Sequence, residues 1–254
     1  MKDTKASVQS QFGQTAENYR HSKVHATGQD LIWLTEELSR EKVNKVLDAG
    51  CGAGHVSVTV APYVEQVVAL DLTENMLEQV NILAEERGVQ NLETRQGDVE
   101  ELPFEDATFD LVISRYSAHH WTNPVGALAE INRVLKDSGR FILIDIVGYE
   151  SYVEDTFLQT IELLRDLSHV RDYTVSQWKN FFAEIGFTSP DTDQWGLDLD
   201  IEAWLTRMAV PEQRVIAIRD LLDNCSDNIR EVLKYDTQTL TLQTVSFDAR
   251  KTVN

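Results

Sequence analysis

The sequence predicts an α/β fold in which a doubly wound, mostly parallel sheet carries helices on both faces. From residue 43 to residue 147, short and nearly continuous apolar segments alternate with amphipathic helical segments, the pattern of strands that are buried on both sides. The first apolar segment runs into a glycine-rich loop. A late segment with alternating apolar residues indicates an antiparallel strand. Right-handed crossovers then determine most of the topology.

Local signals give the elements in chain order. Helices are assigned from the spacing of apolar residues and from start and stop residues, such as Thr73 before and Gly88 after one segment. The predicted strands are Val43–Ala49, Gln66–Leu72, Asn91–Gln96, Phe109–Ser114, Phe141–Val147, Gln194–Leu199 and Thr239–Asp248, the last in an antiparallel edge hairpin. The predicted helices are Asp3–Tyr19, Val24–Leu38, His55–Pro62, Glu74–Arg87, Gly126–Lys136, Tyr152–Leu167 and Thr174–Ile185, with two or three more between Ile201 and Leu233.

The glycine-rich loop contains three glycines spaced two apart, Gly50, Gly52 and Gly54. Glycine permits positive φ and lets the backbone approach a ligand closely. The helix that follows directs its first amides at the same loop. A dinucleotide-binding loop has the pattern G-x-G-x-x-G, but His55 occupies the sixth position here. Dinucleotide binding and a glycine turn without any ligand are the less favoured alternatives.

Two later carboxylates lie where a nucleoside could be bound. Asp71 ends the second apolar run, a place from which a carboxylate accepts the two hydroxyl protons of a ribose. The alternative for Asp71 is a cap of the next helix. Asp98 lies in the segment Gly97-Asp98-Val99, where turn formation is the alternative.

Composition restricts the class of substrate. The chain has 254 residues, with 23 Lys plus Arg against 42 Asp plus Glu and a net charge of -19. Such a surface repels polyphosphates, so we expect a small-molecule substrate and no nucleic acid. We expect a cytoplasmic protein without membrane association, because the chain has two cysteines, no apolar leader at the start and no apolar run of membrane-spanning length. We also expect a monomer or a homodimer.

The spacing Asp48-x-Gly50-x-Gly52-x-Gly54 strongly resembles the first motif of the class I S-adenosylmethionine-dependent methyltransferases. The segment from Gly97 to Phe104 also matches that family, in particular the branch of ubiquinone and menaquinone C-methyltransferases. The resemblance implies a Rossmann-like, seven-stranded sheet with an antiparallel C-terminal strand. It also implies one domain, with N-terminal cap helices (1–42), a cofactor-binding core (43–147) and substrate-side helices and closing strands (148–254). The insertion from Glu202 to Leu233 could form part of a substrate lid or simply pack at the sheet edge.

By the same resemblance, S-adenosylmethionine is the cofactor. The glycines would pass beneath its methionine part, Asp48 would orient that end, and Asp71 would bind the ribose. Asp98 would accept a hydrogen bond from the adenine amino group. The N-terminal helices would cover the cofactor, with His21 and His25 on or beside that cover. The residues expected to contact the cofactor are Tyr19, Asp48, Gly50, Gly52, Gly54, Asp71, Leu72, Met76, Asp98, Val99 and Arg115.

The implied reaction is methyl transfer to a small molecule, through an O, C or N atom, by in-line displacement. Positioning supplies most of the acceleration, and a phenol or enol acceptor would also benefit from a base. His119 and His120 follow a strand and are the candidates, with an expected pKa near the usual value of about 6.5; a polar pocket wall is their other role. No metal is expected. Transfer of another group from an S-adenosylmethionine derivative, or cofactor binding without turnover, are the alternative functions.

The charge leads to a first prediction. Binding to duplex DNA or structured RNA is expected to be undetectable at physiological salt, because few Lys or Arg are available to displace condensed counterions. A gel-shift titration at micromolar protein measures this. A shift that weakens as salt is added would contradict it.

Overall fold

The protein was analysed as a computed structural model that describes residues 4–253. A seven-stranded sheet with the order β3-β2-β1-β4-β5-β7-β6 lies at its centre. All neighbouring strands are parallel except β7, which is antiparallel to both β5 and β6. The strands are β1 Lys45–Ala49, β2 Gln66–Asp71, β3 Leu92–Gln96, β4 Phe109–Arg115, β5 Leu135–Ile146, β6 Asp191–Asp200 and β7 Thr239–Arg250.

Helices cover both faces of the sheet, as the continuous apolar strands predicted. Successive residues of β1 show why: Val46 belongs to the core formed with Leu34, while Leu47 points the other way into the core formed with Leu128. Alternation along a strand requires each face to have its own apolar partner. The helices are α1 Thr4–Arg20, α2 Lys23–Ala26, α3 Gln29–Arg40, α4 His55–Val60, α5 Glu74–Arg87, α6 Pro124–Val134, α7 Tyr152–Arg165, α8 Val175–Ile185, α9 Ile201–Arg207, α10 Glu212–Asp223 and α11 Asp227–Val232.

Several predicted boundaries need correction. The predicted helix from Val24 to Leu38 is two helices, α2 and α3, separated at Gly28. The first helix is described from Thr4, and Asp3 lies outside the described residues. Thr73 makes no side-chain hydrogen bond that caps α5; its backbone N–H donates instead to Asp71. At the C-terminal end, the outermost strand is β6, so the closing strand β7 lies inside the sheet and three helices connect the pair.

A buried ion pair attaches the N-terminal helices to the sheet. Asp30, in the first turn of α3, accepts a hydrogen bond from Arg115 at the end of β4, and both side chains are at least 96% buried. The same guanidinium donates to the carbonyl oxygen of His25 at 2.9 Å. Gly28 allows the approach, because a Cβ at this position would lie 2.2 Å from the Asp30 carboxylate.

The ion pair gives a prediction about stability. Asp30→Ala should lower the free energy of unfolding by about 3–5 kcal/mol, because it leaves a buried guanidinium without a counterion. Urea denaturation followed by circular dichroism measures the change. The control is Arg40→Ala, which removes an exposed pair with Glu36 and Glu37 and should cost about 1 kcal/mol or less. Equal losses in the two variants would contradict the assignment.

Candidate active site

A cleft of about 980 Å³ opens at the carboxyl ends of β1, β2 and β4, where open α/β sheets bind ligands. Except for Gly54, every residue that the sequence assigned to the cofactor lines this cleft. His120 also lines the cleft, whereas His119 lines a neighbouring cavity. Chain segments from the N-terminal helix to residue 121 therefore converge at one site.

The three glycines of the loop all have positive φ but different surroundings. A Cβ on Gly52 would meet nothing within 4 Å, so this glycine presents open backbone to the cleft. A Cβ on Gly50 would lie 2.0 Å from the Ser117 hydroxyl, so Gly50 is needed for close packing of the loop. Gly54 is the N-cap of α4, and a Cβ there would lie 3.0 Å from the Val80 side chain of α5. Gly54 thus has a packing role in the structure and does not line the cleft; its contact with the cofactor stays a prediction.

Asp71 organises the loop from the end of β2. Its carboxylate accepts hydrogen bonds from the backbone N–H of Gly52 at 2.9 Å and of Thr73 at 2.8 Å. Burial raises the pKa of Asp71, and these two amides oppose the rise. Each carboxylate oxygen has further lone pairs, so Asp71 can hold the loop and still accept hydrogen bonds from a ligand in the cleft.

Asp48 and Asp98 lie at different ends of the cleft. Asp48 is 99% buried and accepts a hydrogen bond from the Ser57 hydroxyl at 2.5 Å; burial raises its pKa to about 7. Asp98 is paired with Lys5 of α1 at 2.5 Å, and Lys5 also contacts Glu100 at 2.8 Å. A ligand amino group that used this oxygen of Asp98 would replace the Lys5 ammonium.

Helix α1 covers the cleft and reaches the C-terminal third of the chain. The Tyr19 hydroxyl donates to the sulfur of Met208 at 2.8 Å, and its ring lies 5.0 Å from that of His25. The His55 Nε2 lies 3.1 Å from the Tyr19 carbonyl oxygen. Tyr19 and His25 thus belong to the cover, as expected, whereas His21 is exposed and does not line the cleft.

A second cavity of about 590 Å³ adjoins the cleft and shares Phe12, Tyr19, His25, Tyr116 and His120 with it. Its wall carries charged residues that the sequence interpretation missed, namely Glu162, Arg165, Asp166, Asp172 and Arg207. The signal was present in α7, where Glu162 and Arg165 lie on the same buried face as Leu158 and Ile161. Charged residues on an apolar helix face indicate a buried polar site.

His119 is held by Asp145 of β5. Its Nδ1 lies 2.7 Å from a carboxylate oxygen of Asp145, which is 99% buried. Burial opposes the charged imidazolium, but the charge and hydrogen bond of Asp145 raise the pKa of His119 to about 9. The pair of His119 with Asp145 therefore stabilises the folded state. This contribution is fully present below about pH 6.5, the pKa of the histidine in the unfolded chain, and is lost as the pH rises through 9.

His120 has the opposite protonation state. Its Nδ1 lies 3.1 Å from the carbonyl oxygen of Ser168, an atom that can only accept, so Nδ1 carries the proton. Its Nε2 is the acceptor atom and lies 3.9 Å from a carboxylate oxygen of Asp166. Burial and the neighbouring charge of His119 lower the pKa of His120 to about 4. Both pKa values depart from the usual value of about 6.5, because the Asp145 carboxylate contacts the His119 ring, whereas burial and the charge of His119 act on His120.

The described residues contain neither a metal-ligand cluster nor a membrane-spanning helix. Within residues 4–253, His, Cys, Asp and Glu side chains do not gather into a group of three or more suited to a metal ion. None of the helices in the same range is both long enough and apolar enough to cross a membrane.

Comparison with known proteins agrees with this geometry. A family model described as a methyltransferase domain matches residues 47–143. The chain is 37% identical to the uncharacterized methyltransferase YcgJ of Bacillus subtilis over 220 residues, 87% of each chain. It is 42% identical to the uncharacterized protein YafE of Escherichia coli over 182 residues, 72% of this chain and 88% of that protein. The crystal structure of YcgJ superposes on this protein with a TM-score of 0.84 and 31% sequence identity. The superposition covers 89% of this chain and 100% of the YcgJ chain. The chain belongs to the class I S-adenosylmethionine-dependent methyltransferases.

Proposed function

We propose that the protein transfers a methyl group from S-adenosylmethionine to a small-molecule acceptor, with the cofactor in the cleft and the acceptor in the adjoining cavity. The observation that carries this proposal is the shared wall: His120, Tyr19 and Tyr116 line both spaces. A methyl donor in one space and an acceptor in the other would meet at this wall. A partial relative, the demethylmenaquinone methyltransferase of Lactococcus lactis, is 38% identical over 39% of this chain and supports methyl transfer.

The cleft suits a cofactor that has hydrogen-bond donors and positive charge. Asp71 and Asp98 would accept from the ribose hydroxyls and the adenine amino group, and Asp48 lies on the side of the glycine loop. The backbone at Gly52 leaves room for close contact. When bound, S-adenosylmethionine supplies a methyl group on a sulfonium sulfur. An electron pair of the acceptor bonds to the methyl carbon, and the electrons of the broken carbon–sulfur bond stay on the sulfur.

The protein's own residues position the acceptor and handle its proton. Helix α1 would separate the reacting groups from water. Holding the two reactants close together and excluding water would then accelerate methyl transfer. His120 would accept the acceptor's proton at Nε2, since this ring is neutral at neutral pH. His119 remains an imidazolium and would stabilise negative charge that develops on an oxygen or enol acceptor.

The cofactor assignment predicts that Asp71→Ala binds S-adenosylhomocysteine at least tenfold more weakly. Two charge-assisted hydrogen bonds of roughly 1.5–3 kcal/mol each are lost with the carboxylate, and the amide of Gly52 loses its partner. Isothermal titration calorimetry measures the affinity. The control, Asp191→Ala, changes an exposed carboxylate on β6 and should leave the affinity unchanged. Unaltered binding by Asp71→Ala would remove the ribose assignment.

The histidine pair predicts a specific pH profile. Turnover should stay level through neutral pH, because the neutral form of His120 is already present above its pKa of about 4. Turnover should then fall as pH rises through about 9, where His119 loses its charge. His120→Gln should reduce the chemical step by about 10²–10⁴ without changing cofactor affinity, and His119→Gln should abolish the alkaline fall. A rise through about pH 6.5 would contradict these assignments.

Incubation of the purified protein with methyl-labelled S-adenosylmethionine and a metabolite extract tests the function itself. A labelled small molecule that depends on active protein is the expected result. Cofactor binding without any labelled product from extracts of several growth conditions would contradict methyl transfer to a small molecule.

A further inference from the structure

Arg207 stands out among the charged residues of the second cavity. Its Nε is buried without a hydrogen-bond partner, and its charged form is favoured by the Tyr19 hydroxyl and by the charge of Glu162, which is not in direct contact with it. Its contacts are the Tyr19 ring, at 5.8 Å, and the Ser22 hydroxyl, at the limit of a hydrogen bond at 3.5 Å. Arg207 is partly buried and the charge of Glu162 acts on it, but its unpartnered Nε and the nearby charge of Arg165 favour an anion at this position.

A second guanidinium lies on the same wall. Arg165 is 91% buried; it stacks on Trp204 at 4.9 Å and donates to the Trp204 carbonyl oxygen at 3.2 Å. Its distance from the Glu162 carboxylate is 3.4 Å. Burial and the charge of Arg165 lower the pKa of Arg207. The two cations therefore repel each other, and an anion between the helices α7 and α9 would relieve this repulsion.

The acids of the cavity already have partners or lie in surroundings that disfavour their charge. Glu162 faces Arg165, and Asp166 accepts hydrogen bonds from the backbone N–H and the hydroxyl of Ser168 at 2.8 and 2.6 Å. Burial and then the charge of Glu162 raise the pKa of Asp172 well above its usual range. Its buried Oδ2 has no hydrogen-bond partner. Asp172 thus presents to the cavity a buried carboxyl group whose charged form is disfavoured, 3.8 Å from the Nε2 of His169.

The remainder of the wall is apolar. Aliphatic side chains from β5, β6 and β7 contribute most of it, together with the Trp204 ring. The aliphatic residues are Val24, Ile146, Leu197, Leu199 and Leu242. This surface accommodates a flat or alicyclic body of low polarity, so the arginines provide the polar contacts at one side of an apolar space.

We propose that the methyl acceptor is an apolar, ring-sized molecule that carries a carboxylate, and that Arg207 binds this carboxylate, with Arg165 adding to the positive field. This inference depends on the proposed function, because it assigns the second cavity to the acceptor. A guanidinium binds a planar carboxylate through two parallel N–H···O bonds. The bound carboxylate would fix the orientation of the ring, so that the atom to be methylated points toward His120 and the cofactor cleft.

Binding of three matched probes, benzoate, benzamide and benzylamine, tests the proposal on the full chain saturated with S-adenosylhomocysteine. Ligand-observed NMR and calorimetry measure the affinities. Benzoate should bind at least about tenfold more tightly than the other two, since only it forms charge-assisted bonds with Arg207. Arg207→Met should bring benzoate to the level of benzamide, and Arg207→Lys should restore part of the difference.

The control is Arg219→Met on α10, which removes an arginine paired with Glu202 outside the cavity and should keep the preference for benzoate. Tighter binding of benzylamine would show that the acids dominate and overturn the proposal. So would an unchanged preference in Arg207→Met, or no binding of benzoate at millimolar concentration. S-adenosylhomocysteine affinity, measured on every variant, separates these failures from a failure of the cofactor assignment.

Discussion

The parallel register of β1 with β2 and β4 is the constraint on which the site depends. Asp48 is opposite Ala69 of β2 and Ile113 of β4. Two residues further along those strands, at the same edge of the sheet, lie Asp71 and Arg115. Parallel strands can be joined only by crossovers and need cover on both faces. The apolar cores that hold the register also shield the carboxylates from water, which is why burial raises the pKa of Asp48 and Asp71.

Contacts with the N-terminal helices turn this edge into an enclosed space. The buried pair of Arg115 with Asp30 and the contact of Lys5 with Asp98 hold these helices against both sides of the cleft. The first pair is far from water and cannot exchange easily, whereas Lys5 is partly exposed. A cofactor could therefore displace Lys5 while α3 stays attached to β4.

Protonation at the junction of the two spaces follows from neighbours that lie far away in sequence. Asp145 raises the pKa of His119 to about 9, and the charge of His119 helps to lower that of His120 to about 4. Adjacent residues of the same type thus have pKa values shifted in opposite directions, which suits the different roles that we propose for them. Arg165 and Arg207 of the second cavity extend this positive field toward α9.

The sequence by itself determined the order of strands and helices in the core, the glycine loop and the acids at strand ends, because strand burial, helix periodicity and glycine conformations are local properties. Only the tertiary structure decided that Gly54 packs against Val80, that Asp145 contacts His119, and that Arg165 and Arg207 line one cavity. Each of these depends on which distant side chains share a buried space, and that is set by the packing of the whole chain rather than by spacing along it.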